Sequence, residues 1–524
     1  MGIHYYFKWM KQTFPEHIKE VNNTNKNLID QIGIYIDNFL IDMNGIIHSC
    51  CQKKYQYGSF KPQKSLIHPK KVRVPEQIEV FNEITEYIDK IVSFVNPQKQ
   101  LFMAIDGPAP LAKIYQQRSR RARSSLENSS CEFDTCSITP GTKFLSDLSQ
   151  YIHLHIKKKI KNKEWNFRII FSDEKVPGEG EHECVKFVRE YGSDKENYMI
   201  FGMDADLVML SLATHKERFY ILREDNFNNL GYCRNFFFID MPKIKENLVN
   251  AMLGDFSSFK EKDHINDFIL MIFLSGNDFL PNIPSIAISE GSVQTFFNIY
   301  SDIVKLYGPL TLNGEINKES LVNFMLTLGM DEKKFIEEKS PFFPDTLVEK
   351  YRFNSGNIDF EKFQKEYYKV KMNCNTKDDI KKACLNYIEG LQWVLSYYLK
   401  GVPSWKWFFP YNYSPFISDI AIYLPESVIQ KYEKTQPFEP FMQLLCVLPK
   451  KSAKLLPSPL DELIKSYDIT IDLSGKNKEW EGIVLGLEEI DFGLLEKQYC
   501  TALKQISEID KKRNCVRKYR VFEN

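Results

Sequence analysis

Along roughly the first 290 residues, short apolar runs alternate with stretches whose apolar residues recur at helical spacing. Four runs stand out: residues 32–41 (IGIYIDNFLI), 101–105 (LFMAI), 167–171 (FRIIF) and 198–203 (YMIFGM). Near-continuous apolar runs of this length, bounded by turn or acidic residues, suit strands buried on both faces. Helical patterns follow the third and fourth runs, as VPGEGEHECVKFVRE and ADLVMLSLAT. The alternation predicts an α/β domain with a mainly parallel sheet over residues 1–300. Residues 301–385 are charged and helical in pattern and read as a connecting region. Residues 386–500 open on an amphipathic helix that leads into an aromatic, proline-rich loop (YIEGLQWVLSYYLKGVPSWKWFFPYNYSPF, 387–416). Residues 501–524 read as a basic tail. Residues 22–27 and 53–73 read as polar loops and 157–163 (KKKIKNK) as a solvated helix end. No internal repeat is present.

Carboxylates gather at the predicted strand ends. Asp42, Asp106, Asp173 and Asp204 fall at or just past the four runs, where an open α/β sheet places its ligand crevice. The pairs Glu179/Glu181 (GEGE) and Asp204/Asp206 (DAD), with Asp42, Asp106 and Asp278 (GNDF), supply seven acids in loops or element ends. Any one is equally well explained as a solvated acid. Five separate segments converging would need their repulsion offset, and divalent cations with oxygen ligands do that best. Magnesium takes one or two carboxylates per ion with water and phosphate, so a cluster of this size suits two ions.

A second constellation is AKIYQQRSRRARSS. Lys113, Gln117, Arg120 and Arg121 lie at i, i+4, i+7 and i+8, on one face of a helix. An ammonium, an amide and two guanidinium forks can hold a terminal phosphate by charge-assisted bonds, close to Asp106. Most runs of this kind are solvated basic faces, and spacing alone does not separate the two readings. His48, Trp405 and Trp407 are aromatic residues able to stack on bases, although such residues more often pack a core. GxxxxGK[ST], HExxH and GxSxG are absent, and His182 has no partner at zincin spacing.

Composition adds few constraints. A chain of 524 residues with 43% hydrophobic and 26% charged residues is globular rather than disordered. Lys plus Arg and Asp plus Glu both number 69, so any nucleic-acid binding must come from charges separated in space. Eleven cysteines without a CxxC predict reduced thiols in an intracellular setting and no structural zinc. The longest apolar run, residues 268–274, is too short to span a membrane, and the N-terminus lacks a signal-peptide layout. The expectation is a soluble protein; nuclear and cytoplasmic settings stay open.

The sequence resembles the XRN family of 5′→3′ exoribonucleases. The blocks that carry the resemblance are MGIHYYFKWM, DNFLIDMNGIIHSC, AIDGPAPLAKIYQQRSRRARS, ITPGTKF, VPGEGEHE, GMDADLVMLSLATH, LRED, FLSGNDFLPNIPS, YIEGLQWVLSYYLKGVPSWKWFFPYNYSPF, PFEPFMQLLCVLP and EWEGIVL. They occur in the family's order and span nearly the whole chain. The resemblance implies a PIN/flap-endonuclease-like catalytic domain with a mostly helical second region. It implies that Asp42, Asp106, Glu179, Glu181, Asp204, Asp206 and Asp278 hold two Mg²⁺ ions, for which Mn²⁺ could substitute. Asp173 lies outside the family pattern and leaves the set. Lys113, Gln117, Arg120 and Arg121 match the family's 5′-phosphate pocket, and His48 the histidine that stacks on the terminal base. Either Trp405 or Trp407 would face it.

The implied activity is processive degradation of single-stranded RNA carrying a 5′ monophosphate, with release of nucleoside 5′-monophosphates, by a monomer. The start, GIHYYFKW, departs from the family's usual proline and basic residue, and Pro108, Leu111, Tyr115 and Asn412 replace commoner residues. None of these is an inferred ligand. The sequence stops after the second signature region, so docking through long C-terminal extensions is not expected. Two alternatives are a flap-type DNA nuclease, which shares the acids, and a non-catalytic RNA-binding homologue.

Overall fold

The computed structural model describes residues 3, 5–24, 27–60, 74–126, 133–224, 235–254, 259–338, 345–428, 432–476, 478 and 481–523. Its centre is an eight-stranded sheet. In chain order the strands are β1 (Ile18–Asn22), β2 (Asn38–Asp42), β3 (Gln100–Ala104), β4 (Arg168–Ser172), β5 (Tyr198–Phe201), β6 (Phe219–Glu224), β7 (Asn235–Asp240) and β8 (Arg520–Phe522). Across the sheet they run β1-β7-β6-β5-β2-β3-β4-β8. The five from β6 to β4 are parallel, while β1, β7 and β8 pair antiparallel toward the edges. The α/β class with a mainly parallel sheet is therefore as expected.

Alternation along the strands builds two cores. Leu40, Phe102, Ile170 and Ile200 point into one apolar cluster, and Phe39, Ile41, Leu101, Met103, Ile169 and Phe171 into the other. With both faces covered, the central strands need apolar residues at successive positions between their ends, which is why they read as near-continuous runs. The helices Met43–Tyr55, Gln77–Val95 and Lys143–Lys161 cover the second face. Gly180–Tyr191, Asp206–Ala213, Glu261–Phe273 and the long helix Lys377–Lys400 cover the first. Residues 264–273 are all buried, so the run at 268–274 is a core helix. Among the described residues no helix is long and apolar enough to cross a membrane.

Several boundaries differ from the sequence reading. Of the run 32–41 only its second half is strand; Leu28–Ile32 is a helical turn ended by Gly33 at φ 73°, a conformation glycine adopts without steric cost. The boundary drawn at 385/386 falls inside the helix Lys377–Lys400, so the connecting region and the second region share an element. The tail is part of the main sheet: β8 pairs with β4, and Arg517 and Arg520 both reach Asp173. Asp173, which follows β4 as the crevice acids follow their strands, is 1% exposed and serves as that anchor. The helix Met43–Tyr55 and the strand β1 run into the two segments read as loops, whose residues 25–26 and 61–73 lie outside the described residues. The nine described cysteines are free thiols.

Candidate active site

The sheet order reverses around β2, since the chain passes from β2 through β3 to β4 and then crosses to β5 and β6. Such a switch leaves a crevice beyond the carboxyl ends of the strands. Asp42 ends β2 and caps the next helix, its Oδ1 accepting the Asn44 N–H at 3.2 Å. Asn44 in turn accepts the Asp106 N–H on its side-chain oxygen at 3.2 Å, and Asp106 Oδ1 accepts the Gly180 N–H at 2.7 Å. The ends of β2 and β3 and the start of the helix Gly180–Tyr191 are thereby stitched together by backbone amides. Gly180 is needed there: a Cβ would meet the Ala104 carbonyl oxygen at 3.0 Å and Asp42 Oδ1 at 3.3 Å. Glu179 and Glu181 stand at the start of the same helix. Asp206 opens the helix after β5 and accepts the Ile3 N–H at 3.2 Å, with the exposed Asp204 just before it. Asp278 comes from the loop beyond Glu261–Phe273.

Electrostatics ties the seven into one group. Burial and then repulsion from Asp106 and Asp204 drive Asp42 well above the ordinary carboxylate range. Burial followed by Asp204 and Asp206 does the same for Glu181. Asp106 is pushed to about 6 by burial and Glu179, and Asp206 to about 7 by burial and Asp278. Asp278 goes the other way, to about 2, because Lys113 outweighs its burial. Lys113 Nζ donates to Asp278 Oδ2 at 2.6 Å and also contacts Glu179 Oε2. The Tyr397 hydroxyl donates to Glu179 Oε1 at 2.8 Å.

Among the described residues no three His, Cys, Asp or Glu side chains are drawn together into a finished metal cage. The donor chemistry nonetheless fits hard divalent cations. All seven groups are carboxylates, four are held above their ordinary range by burial and then by one another, and Glu181 Oε2 is buried without a hydrogen-bond partner.

The helix Leu111–Leu126 lies against this crevice, and its residues divide by face. Arg118 anchors the far side, donating to the Glu488 carbonyl at 2.6 Å and lying 4.7 Å from the Tyr467 ring. On the near side Lys113 turns into the acids. Gln117 is buried and accepts from Gln443 Nε2 at 3.1 Å. Arg121 donates to Thr139 Oγ1 at 2.8 Å, its Nη1 is buried without a partner, and burial lowers its pKa to about 10. Arg120 makes no hydrogen bond or ion pair among the described residues. Both arginines act on His48: burial first, then their charges, lower its pKa to about 4 and leave the ring neutral. Arg120 and Arg121 of the expected phosphate-binding set therefore lie near His48, whereas Lys113 is paired with Asp278 and Glu179.

The two tryptophans separate. Trp407 stacks on buried Trp393 at 4.9 Å and 22°, which makes it a packing residue. The Trp405 carbonyl accepts the Leu111 N–H at 2.9 Å, fixing this residue to the start of the basic helix. Its ring stacks on no aromatic residue among those described. His182, 3.9 Å from Tyr397 in a parallel stack, is buried and neutral, and belongs to the wall. Sequence reasoning missed Asn44, Tyr397 and Gln443. All three fall inside the quoted blocks, but as neutral residues they gave no separate chemical signal.

The family described as "XRN 5'-3' exonuclease N-terminus" matches residues 1–225, and "Xrn1 helical domain" matches residues 258–344 and 358–523. Similar proteins include 5'-3' exoribonuclease 1 of Homo sapiens (28% identity, 98% of this chain and 35% of the relative). The Drosophila melanogaster 5'-3' exoribonuclease 2 homolog is also 28% identical, over 98% of this chain and 72% of its own. For 5'-3' exoribonuclease 1 of Saccharomyces cerevisiae the figures are 27%, 98% and 44%. The chain thus spans less than half the length of the human and yeast relatives. Among solved structures, the catalytic core of Rad2 in complex with DNA substrate aligns over 88% of this chain and 98% of its own. Its 13% identity and TM-score of 0.36 are too remote to bear on function. The two family matches follow one another along nearly all of the sequence: the chain belongs to the XRN family of 5′→3′ exoribonucleases.

Proposed function

We propose that the chain is a magnesium-dependent 5′→3′ exoribonuclease that degrades single-stranded RNA bearing a 5′ monophosphate. The observation that carries this reading is the junction of two opposite sites on one helix: Lys113 joins the acid crevice, and Gln117, Arg120 and Arg121 follow it on the same helix, the two arginines acting on His48. Asp42, Asp106, Glu179, Glu181, Asp204, Asp206 and Asp278 would hold two Mg²⁺ ions, with Mn²⁺ a possible substitute. Bound there, such ions acidify an attacking water and offset charge on a leaving 3′ oxygen.

The protein's own groups supply position and polarity. Arg120 and Arg121 present fixed positive charge, and the Gln117 amide a neutral donor, to a terminal phosphate. A site fitted to one terminal phosphate would exclude a cap or triphosphate by size, while a hydroxyl end leaves the guanidinium groups unpaired. His48, neutral beside two arginines, offers an apolar ring to the first base, and Trp405 is the ring free to oppose it. Stacking of this kind holds any base, so the strand can advance one nucleotide at a time without sequence preference. Tyr397 keeps Glu179 oriented by its hydrogen bond. Hydrolysis with the 5′ end held in this way releases nucleoside 5′-monophosphates.

The test is mononucleotide release from one single-stranded RNA carrying a 5′ monophosphate, hydroxyl or triphosphate, with Mg²⁺ or EDTA. Metal-dependent release from the monophosphate alone supports the reading. Equal cleavage of all three ends removes the phosphate pocket, and no release from any end leaves an RNA-binding protein.

A further inference from the structure

We infer that Gln443 is a positioning residue for the terminal phosphate: it sets which end of the Gln117 side-chain amide is left to meet it. This rests on the phosphate-binding reading of Gln117. Gln443 lies in the helix Pro440–Val447 of the second region and is fully buried. Its Oε1 accepts the Ala109 backbone N–H at 2.8 Å. A backbone amide can only donate, so this bond fixes the flip of the Gln443 side chain and leaves its Nε2 as the outward donor. That Nε2 donates to Gln117 Oε1 at 3.1 Å. With its oxygen engaged, Gln117 must turn its own NH₂ elsewhere, and that group donates to nothing else among the described residues.

The result is a polarity relay from the Ala109 N–H through Gln443 to Gln117, ending in a donor beside Arg120 and Arg121. An unconstrained glutamine would present its carbonyl oxygen to a phosphate about as readily as its NH₂, and the wrong orientation repels. The relay starts in the loop that joins β3 to the basic helix, so the groups it orders are tied to the same backbone as Asp106. It also gives the second region a part in recognising the 5′ end, through a residue that touches no substrate.

Gln443→Met removes the relay at nearly constant volume. Gln443→Glu replaces the outward donor by an acceptor, which forces the Gln117 amide to flip. The measurement is kcat/KM on 5′-monophosphate and 5′-hydroxyl RNA of one sequence, for wild type, each Gln443 variant, Gln117→Ala and the Gln117→Ala/Gln443→Met double variant, with thermal melts alongside. The monophosphate-over-hydroxyl ratio should fall about tenfold or more in both Gln443 variants, the scale of one hydrogen bond to a charged group. Gln443→Met should lower it no further once Gln117 is alanine. An unchanged ratio in either folded Gln443 variant overturns the inference, and so does a full additional loss in the double variant. A wild-type ratio near one is a different failure, because it removes the phosphate pocket itself and this relay with it.

Discussion

Lys113 Nζ stands 2.6 Å from Asp278 Oδ2, so the first residue of the cationic face is also the counter-ion of the acid crevice. Removing it should damage both. In Lys113→Met, kcat/KM on 5′-monophosphate RNA should drop on the order of a hundredfold, because breaking a buried pair leaves an uncompensated charge. Steady-state kinetics over a Mg²⁺ series checks this. Full activity at any Mg²⁺ concentration would show that Lys113 is dispensable.

Asp206 is buried among other acids and its carboxyl is crowded by Asp278. Asp206→Asn should therefore abolish turnover, by roughly a thousandfold or more, while leaving the metal-free protein as stable as wild type or more so. Scanning calorimetry with EDTA and with Mg²⁺ separates the two effects. The wild-type melting temperature should rise with Mg²⁺ as a ligand binding only the folded state requires, and the variant's should rise less. An equal rise in both proteins would place the ion elsewhere.

Trp405 and Trp407 should respond in opposite ways. Trp407→Ala empties the stack on Trp393 and should cost about 3 kcal/mol of stability. Trp405→Ala should leave the melting temperature nearly unchanged but shorten the run of nucleotides removed per encounter, since a stacked base contributes about 1–3 kcal/mol. Denaturant melts and a processivity assay with trap RNA distinguish them, and the reverse assignment would appear as the reverse pattern.

The strand β8 carries a pH dependence. His153 Nδ1 lies 2.8 Å from Arg520 Nη1 and its ring 5.3 Å from Phe522, so the ring must be neutral to accept from the guanidinium. Burial first, then Arg520, Lys157 and Arg517, lower its pKa to about 4, with Asp173 opposing them. A histidine depressed in this way contributes stability that is present above its unfolded value near 6.5 and lost as pH falls toward 4. Hydrogen exchange at residues 520–522 should accelerate over that window before the central strands respond. A rate that falls with the chemical exchange rate alone would refute the coupling.

How much of this was legible in the chain depended on where each residue's partners lie. The strands β2 to β5 were readable because both faces of their middle residues are buried, which confines polar residues to the strand ends. The edge strand β1 buries only Val21 fully, and β8 is three residues long, so neither has an apolar signature. The acids were readable from their places after strands, but Asp173 has the same kind of place. What distinguishes it is Arg517, 344 residues further along. Gln443 and Gln117 are 326 positions apart, and nothing local in either segment marks them as a pair. Trp405 and Trp407 share one short motif, and what tells them apart is distant in sequence: Trp393 beneath one and Leu111 bonded to the other.

Because β8 completes the sheet edge at β4, the order of synthesis matters to this fold. A ribosome releases β2, β3 and β4 early, and their parallel core can begin to form around the first helices. The outer rim of β4 then stays without its neighbour until residues 520–522 emerge. Throughout that interval the nascent chain exposes unpaired backbone groups of the kind that recruit foreign strands. Asp173 is likewise without Arg517 and Arg520 until those residues have been made, 344 positions later in the case of Arg517, so the ion pair that seals this flank forms long after β4 is synthesised.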